Sequence, residues 1–261
     1  MSEREKILRF YRASGESDLA ARLVDLAEGA LKSRRYKVSE FLDPFGYSIA
    51  ETVAAHYPRV KLEADGGYPG AERVKAAFVE EDFRGKPDFE LAALAAEVDV
   101  RYYSISHRDV LGAVLALGVK REVVGDIVMG GRGCQIVCDA TLAGFIKDNL
   151  HKIGAAPVEL APIALDDIAP REEKVKEIRA TVASLRLDTI AAAGYGTSRS
   201  QMTEEIEAAK VKVNWQDAKG PAQAIKAGDV ISMRGRGRVE VVEILGQTKK
   251  GRTSIYLKRF I

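Results

Sequence analysis

Apolar positions recur at helical spacing near the start of the chain. Ile7, Leu8 and Tyr11 form one stripe, and Leu19, Leu23, Leu26, Ala27 and Ala30 form the next. Ser14-Gly15 separates the two, Asp43-Pro44-Phe45-Gly46 signals a turn, and a third helical segment is expected over 48–57. Residues 1–70 therefore read as a helical region closed by the loop Asp65-Gly66-Gly67-Tyr68-Pro69-Gly70. Beyond that loop the pattern changes. Residues 74–79 and 89–100 read as strands, and 106–117 as a helix with Leu111, Val114 and Leu115 facing inward and Gly118 as its stop. Segments 126–129 and 134–137 are expected to pair around Gly130-Gly131-Arg132-Gly133, a loop tolerant of positive φ. Asp139 is placed to cap a helix whose stripe is Leu142, Phe145, Ile146 and Leu150, and 157–160 reads as a last strand.

From Phe89 the order strand, helix, strand, strand, helix, strand is the split βαβ, ferredoxin-like plan, with 74–79 as an extra strand. The central domain is therefore assigned to 71–165. Its strands lack the aromatic and basic signature of an RRM, so the plan alone does not imply RNA binding. Residues 166–182 read as a linker, with Arg171-Glu172-Glu173-Lys174 beginning a short charged helix. A third domain, 183–261, follows. In it Leu187, Ile190 and Ala191 share one side of a helix ended by Gly194-Tyr195-Gly196, and Met202, Ile206 and Ala209 are expected to bury a second. Strands are expected over 211–215 and 230–233. The expected class is α+β.

Charge separates these regions. Residues 181–261 hold 14 Lys+Arg against 8 Asp+Glu, whereas 1–180 hold 26 against 30, so the overall +2 hides a basic C-terminal end. Within 232–261 eight basic residues face two acidic ones, a density suited to neutralising phosphates. Ser198 and Gln201 have the spacing of a capping box, and a capped helix N-terminus presents unpaired N–H groups and the positive end of a dipole. Arg199 and Ser200 would hold a phosphate beside it. Arg234, Arg236 and Arg238 alternate with glycines that let a backbone approach RNA closely. Trp215 fits either base stacking or packing at a strand end.

In chain order, Leu185-Arg186-Leu187-Asp188, Thr197-Ser198-Arg199-Ser200-Gln201, Val211-Lys212-Val213-Asn214, Gly228-Asp229-Val230-Ile231-Ser232 and Arg234-Gly235-Arg236-Gly237-Arg238 resemble an S4 (αL-like) RNA-binding domain. Further motifs extend the likeness: Ser106-His107-Arg108-Asp109-Val110-Leu111-Gly112-Ala113, Leu117-Gly118-Val119-Lys120-Arg121-Glu122, Gly125-Asp126-Ile127 and Thr248-Lys249-Lys250-Gly251-Arg252. Together they make nearly the whole chain resemble YlmH-type S4-domain proteins. The resemblance implies an N-terminal helical region, an RRM-like central domain and a C-terminal S4 domain. It also implies binding to ribosomal RNA of the large subunit and to peptidyl-tRNA, in ribosome-associated quality control of stalled nascent chains. An older association of that family with cell division has no counterpart in the sequence. Arg236 stands where an aromatic residue is expected in the family, which favours charge contact over stacking there.

The RNA-binding candidates are Arg186, Arg199, Ser200, Gln201, Lys212, Arg234, Arg236, Arg238, Lys249, Lys250 and Arg252, with Arg108, Lys120 and Arg121 as a second contact. No catalytic residue, cofactor or metal is expected. Arg186-Leu187-Asp188 matches the catalytic triplet of pseudouridine synthases only superficially, because it heads the S4 helix, and no methyl-donor glycine motif or His-x-Gly-His accompanies it. His56, His107 and His151 fit no metal spacing. An RNA-modifying enzyme and a cell-division adaptor with nonspecific RNA affinity are the competing readings. Cys134 and Cys138 lie about 13 Å apart on one strand face, too far for a disulfide. No apolar run reaches the roughly 18 residues of a membrane span, and the start lacks a signal-peptide core. A cytoplasmic monomer is expected.

Overall fold

The apolar stripes near the start do form helices. In the computed structural model, which describes residues 2–12, 15–168, 175–248 and 251–260, α1 (Glu3–Arg12) buries Ile7 and Tyr11. Helix α2 (Ser17–Ser33) buries Ala20, Leu23, Val24, Ala27 and Ala30 and stops where Arg34 turns left-handed, at φ 52°. Strands that alternate with the helices along the chain form a sheet absent from the sequence reading. Strand β1 (Tyr36–Leu42) follows α2, and α3 (Pro44–Ala55) starts four residues earlier than expected because Asp43 accepts from Gly46 N–H at 2.8 Å and Pro44 presets the first turn. Strands β2 (Val60–Asp65) and β3 (Val74–Glu80) complete a three-stranded antiparallel sheet in the order β1-β3-β2. The strand at 74–79 is thus the centre of the N-terminal sheet and not an addition to the central one.

The central elements follow the expected order: β4 (Leu91–Glu97), α4 (His107–Leu115), β5 (Val124–Gly130), β6 (Gly133–Asp139), α5 (Ala140–Asn149), a small hairpin of β7 (Lys152–Ile153) and β8 (Ala156–Pro157), and β9 (Leu160–Ile163). The sheet runs β5-β6-β4-β9, the strand order of a ferredoxin-like fold. Leu94, Ile136 and Cys138 meet α4 and α5 on one face. Alternate residues Ala93, Val128 and Val137 pack on the other face against Phe41 and Ile168, so the surface that an RRM presents to RNA is covered. Phe145, expected in the α5 stripe, is 44% exposed. Burial pushes the Cys134 and Cys138 thiols up to about 11 and about 12, which keeps them protonated.

Residues 1–171 form one unit and 172–261 a second. In the second, β10 (Val175–Val182) occupies part of the stretch read as linker, while the proposed charged helix at 171–174 lies outside the described residues. It is followed by α6 (Leu187–Tyr195), α7 (Arg199–Glu207), β11 (Val211–Val213), β12 (Gln216–Asp217), β13 (Val230–Met233), β14 (Gly237–Gln247) and β15 (Thr253–Phe260). The six strands form an antiparallel sheet in the order β10-β15-β14-β13-β11-β12. Helix α6 lies so close to it that a Cβ on Gly194 would stand 2.7 Å from a Val239 methyl. Leu187, Ile190, Met202 and Ile206 fill the space above Val239, Val241, Ile255 and Leu257. Ala209 is exposed and left-handed at φ 53° instead of buried, because α7 has already ended. The strand expected over 211–215 stops at Val213, since Asn214 and Trp215 both take positive φ and form the two-residue turn into β12.

Candidate nucleic-acid interface

Asp188 lies in the first turn of α6 and is 2% exposed. A buried carboxylate needs partners, and three side chains supply them. Arg186 grips it through Nε at 3.2 Å and Nη2 at 2.8 Å, Arg199 approaches through Nε and Nη2 at 3.0 Å, and Thr189 donates from its hydroxyl at 3.0 Å. Burial alone would raise this carboxyl. The hydrogen bonds from Arg186, Arg199 and Thr189 outweigh it and bring the group down to about 2. Two guanidiniums, half-exposed on their outer sides, are thereby held together at the start of α7.

The capping box beneath them is complete: Ser198 Oγ accepts from Gln201 N–H at 3.2 Å, and Gln201 Oε1 accepts from Ser198 N–H at 3.5 Å and from the Thr197 hydroxyl at 2.7 Å. Gln201 is therefore engaged in the cap, while Ser200 is exposed next to it. Arg186, Asp188, Arg199, Ser200, Thr203 and, as a second acid, Glu207 line an open cavity of about 540 Å³. A second cavity of about 580 Å³ beside α2 and β1 has more acidic than basic side chains in its wall, which disfavours phosphate.

A second basic group sits at the β13–β14 turn. Arg234 and Arg236 are exposed, and the turn closes through Arg236 N–H to Met233 O at 3.0 Å with Gly235 and Gly237 at φ 78°. Arg238, on β14, stacks over the Phe260 ring at 4.6 Å. Lys212, on β11, faces Asp217 at 3.6 Å across an exposed pair. Arg252 is not part of this group: it lies at the opposite end of the β14–β15 hairpin, where Nη2 donates to Thr181 O at 2.6 Å. Lys249 and Lys250 lie outside the described residues.

The three central-domain candidates divide. Arg108 and Lys120 are exposed. Arg121 is half-buried and donates to the carbonyls of Val124 and Gly125; desolvation, then the neighbouring Arg73 guanidinium, lowers it to about 10. Its contacts are with the chain's own backbone. Elsewhere, the carboxylates Glu80, Glu81 and Asp82 gather around Arg59, which bridges them at 2.5, 2.7 and 3.0 Å. The sequence reading missed the role of Asp188. The available signal was an acid two residues from Arg186 in the first turn of an otherwise apolar helix.

Two short helices packed on an antiparallel sheet and carrying two groups of arginines define an S4-type RNA-binding protein. The comparisons agree. Residues 15–83 match the model "YlmH, N-terminal", 85–167 match the "Putative RNA-binding domain in YlmH", and 185–231 match the S4 domain. The chain is 35% identical over 226 residues to the Ribosome-associated protein quality control protein P2 of Bacillus subtilis (strain 168), covering 86% of this chain and 88% of that protein. It belongs to the YlmH family. The solved structure of the cell division protein ylmH from Streptococcus pneumoniae shares the fold at a TM-score of 0.51 and 20% identity, over 59% of this chain and 95% of that one. Among the described residues no helix is long and apolar enough to cross a membrane.

Proposed function

We propose that the chain is a non-catalytic RNA-binding protein that docks its S4 domain on ribosomal RNA of the large subunit, contacts peptidyl-tRNA as a second element, and acts in the quality control of stalled nascent chains. The observation that carries this reading is the clamp of Arg186 and Arg199 by Asp188 at the N-terminus of α7. It presents two forked cations at fixed spacing beside an oriented helix end, an arrangement suited to the backbone of folded RNA. The same clamp speaks against catalysis by the Arg186-Leu187-Asp188 triplet, because Asp188 is enclosed by its partners. The name of the Bacillus relative supports the ribosomal setting. The protein acts as a cytoplasmic monomer in this reading.

The test is sedimentation of the tagged chain with ribosomes on a sucrose gradient, comparing it with an Arg199→Glu, Arg236→Glu double variant. Co-migration with the large subunit, lost in the variant, is expected. Absence of the unaltered chain from every ribosomal fraction would refute ribosome docking.

A further inference from the structure

The sheet of the second unit has two faces, and among the described residues of that unit the hydrophobic core lies on one of them. Val239, Val241, Ile255 and Leu257 point toward α6 and α7, so their alternate neighbours point the other way. One row of the open face can be followed strand by strand through the register: Val175 pairs with Phe260, Phe260 with Arg238, Arg238 with Ser232, and Ser232 with Lys212. This row contains an aromatic ring under a guanidinium and no acid until Asp217 on the last strand. Arg234 and Arg236 project from the turn that joins the strands of Ser232 and Arg238, beside the middle of this row, exposed and without an ion pair among the described residues. The next row alternates Glu177, Lys258 and Glu240, which confines an anion to the first.

We infer that this row is a second RNA site, distinct from the clamp on the helical side, and that it takes an unpaired segment of RNA by stacking a base on Phe260 in place of the Arg238 guanidinium that covers the ring, Arg238 then moving with Lys212 and the arginines of the turn onto the phosphates. Three strand spacings separate Phe260 from Lys212, about 14 Å, a span comparable to that over which four-stranded RNA-binding sheets stack two or three bases. The exposed Lys212–Asp217 pair is weak enough to exchange for phosphate. Asp217 at the row's far end limits the site on that side. The inference rests on the RNA-binding reading of this domain and adds the kind of RNA: the clamp takes a folded backbone, the open face a single strand beside it.

The experiment measures binding of the full chain to a blunt RNA hairpin and to the same hairpin with an unpaired 3′ extension. The extended RNA is expected to bind about ten- to a hundredfold tighter, the range of one stacked base. Phe260→Leu, which keeps the apolar cover but removes the ring, is expected to abolish most of that preference while leaving blunt-hairpin affinity unchanged. Arg238→Gln, which leaves the strand intact, moves the preference in the same direction and serves if Phe260→Leu melts early. Arg199→Glu lowers affinity for both RNAs alike. Equal binding of both RNAs by the unaltered chain, or a preference untouched by both open-face variants, overturns the inference alone. Binding to neither RNA overturns the RNA-binding reading with it.

Discussion

At the scale of single residues, Asp188 governs the clamp. Its carboxylate is buried while the two arginines it holds remain half-exposed, so its loss would leave two guanidiniums without an orienting partner. Asp188→Asn preserves shape but cannot accept from two guanidiniums and a hydroxyl as the charged group does. The expected result is a loss of about 1–3 kcal/mol in unfolding free energy and a rise of at least about tenfold in the dissociation constant for structured RNA, read by denaturant titration and filter binding. The pH dependence has a definite sign. Because the folded-state value, about 2, lies below the ordinary 3.8, the carboxylate stabilises the fold above the ordinary value and loses that contribution as pH falls toward 2. The melting temperature of fragment 175–261 should therefore fall between about pH 4 and about pH 2, and Asp188→Asn should flatten that fall. An unchanged slope in the variant would show that the pair contributes no stability.

At the scale of elements, α7 is short and mildly polar, so its cap matters more than its propensity. Ser198→Ala removes the acceptor for Gln201 N–H and is expected to cost about 1 kcal/mol, or roughly 4–8 °C in melting temperature for a unit of this size. RNA affinity should fall with it, because Arg199 is the first residue of the helix. Ser200→Ala, exposed and outside the capping bond to Gln201 N–H, should leave stability within about 0.5 kcal/mol. The elements that the sequence revealed share this kind of local signal: Ser198 with Gln201, Ser106 with Asp109, Asp139 before α5, and the stripe of α2. Those it concealed lack one. Strand β1 mixes Lys37, Ser39 and Glu40 with its apolar residues and is bulged between Val38 and Phe41, which breaks the period of two. Strand β10 is an edge strand with Lys176, Glu177 and Arg179 exposed, so it reads as a linker. Strand β3 was legible as a strand, but its partners β1 and β2 were not, and its sheet was misplaced. For the site, the cationic residues were legible from charge and spacing. Asp188 was not, because Arg199, eleven residues away, reaches it from another helix.

At the scale of the whole molecule, the boundaries of the matched family models and those of the folding units differ. The N-terminal and central models divide at residues 83–85, yet the packing does not divide there. Phe41 of β1 lies 2% exposed against Val128 and Val137, and a Cβ on Gly125 would meet its ring at 2.7 Å. Lys75 of β3, itself buried, reaches Asp139 at 2.6 Å, the residue that caps α5. Asp126 of β5 accepts from Tyr68 and from the backbone N–H of Glu72 and Arg73. Separation near residue 84 would expose the Phe41 face and leave Lys75 and Asp139 unpaired, whereas separation within 169–174 divides none of the four hydrophobic cores. Fragment 1–168 is therefore expected to unfold in one cooperative transition, and fragments 1–84 and 85–168 to lack sharp transitions of their own. Fragment 175–261 should fold alone and retain RNA binding with a log–log salt slope near −3 to −5, as about five phosphate contacts require. Calorimetry of the four fragments checks the first claim and salt titration the second. Independent cooperative folding of 1–84 would show that the shared core around Phe41 does not join the two halves.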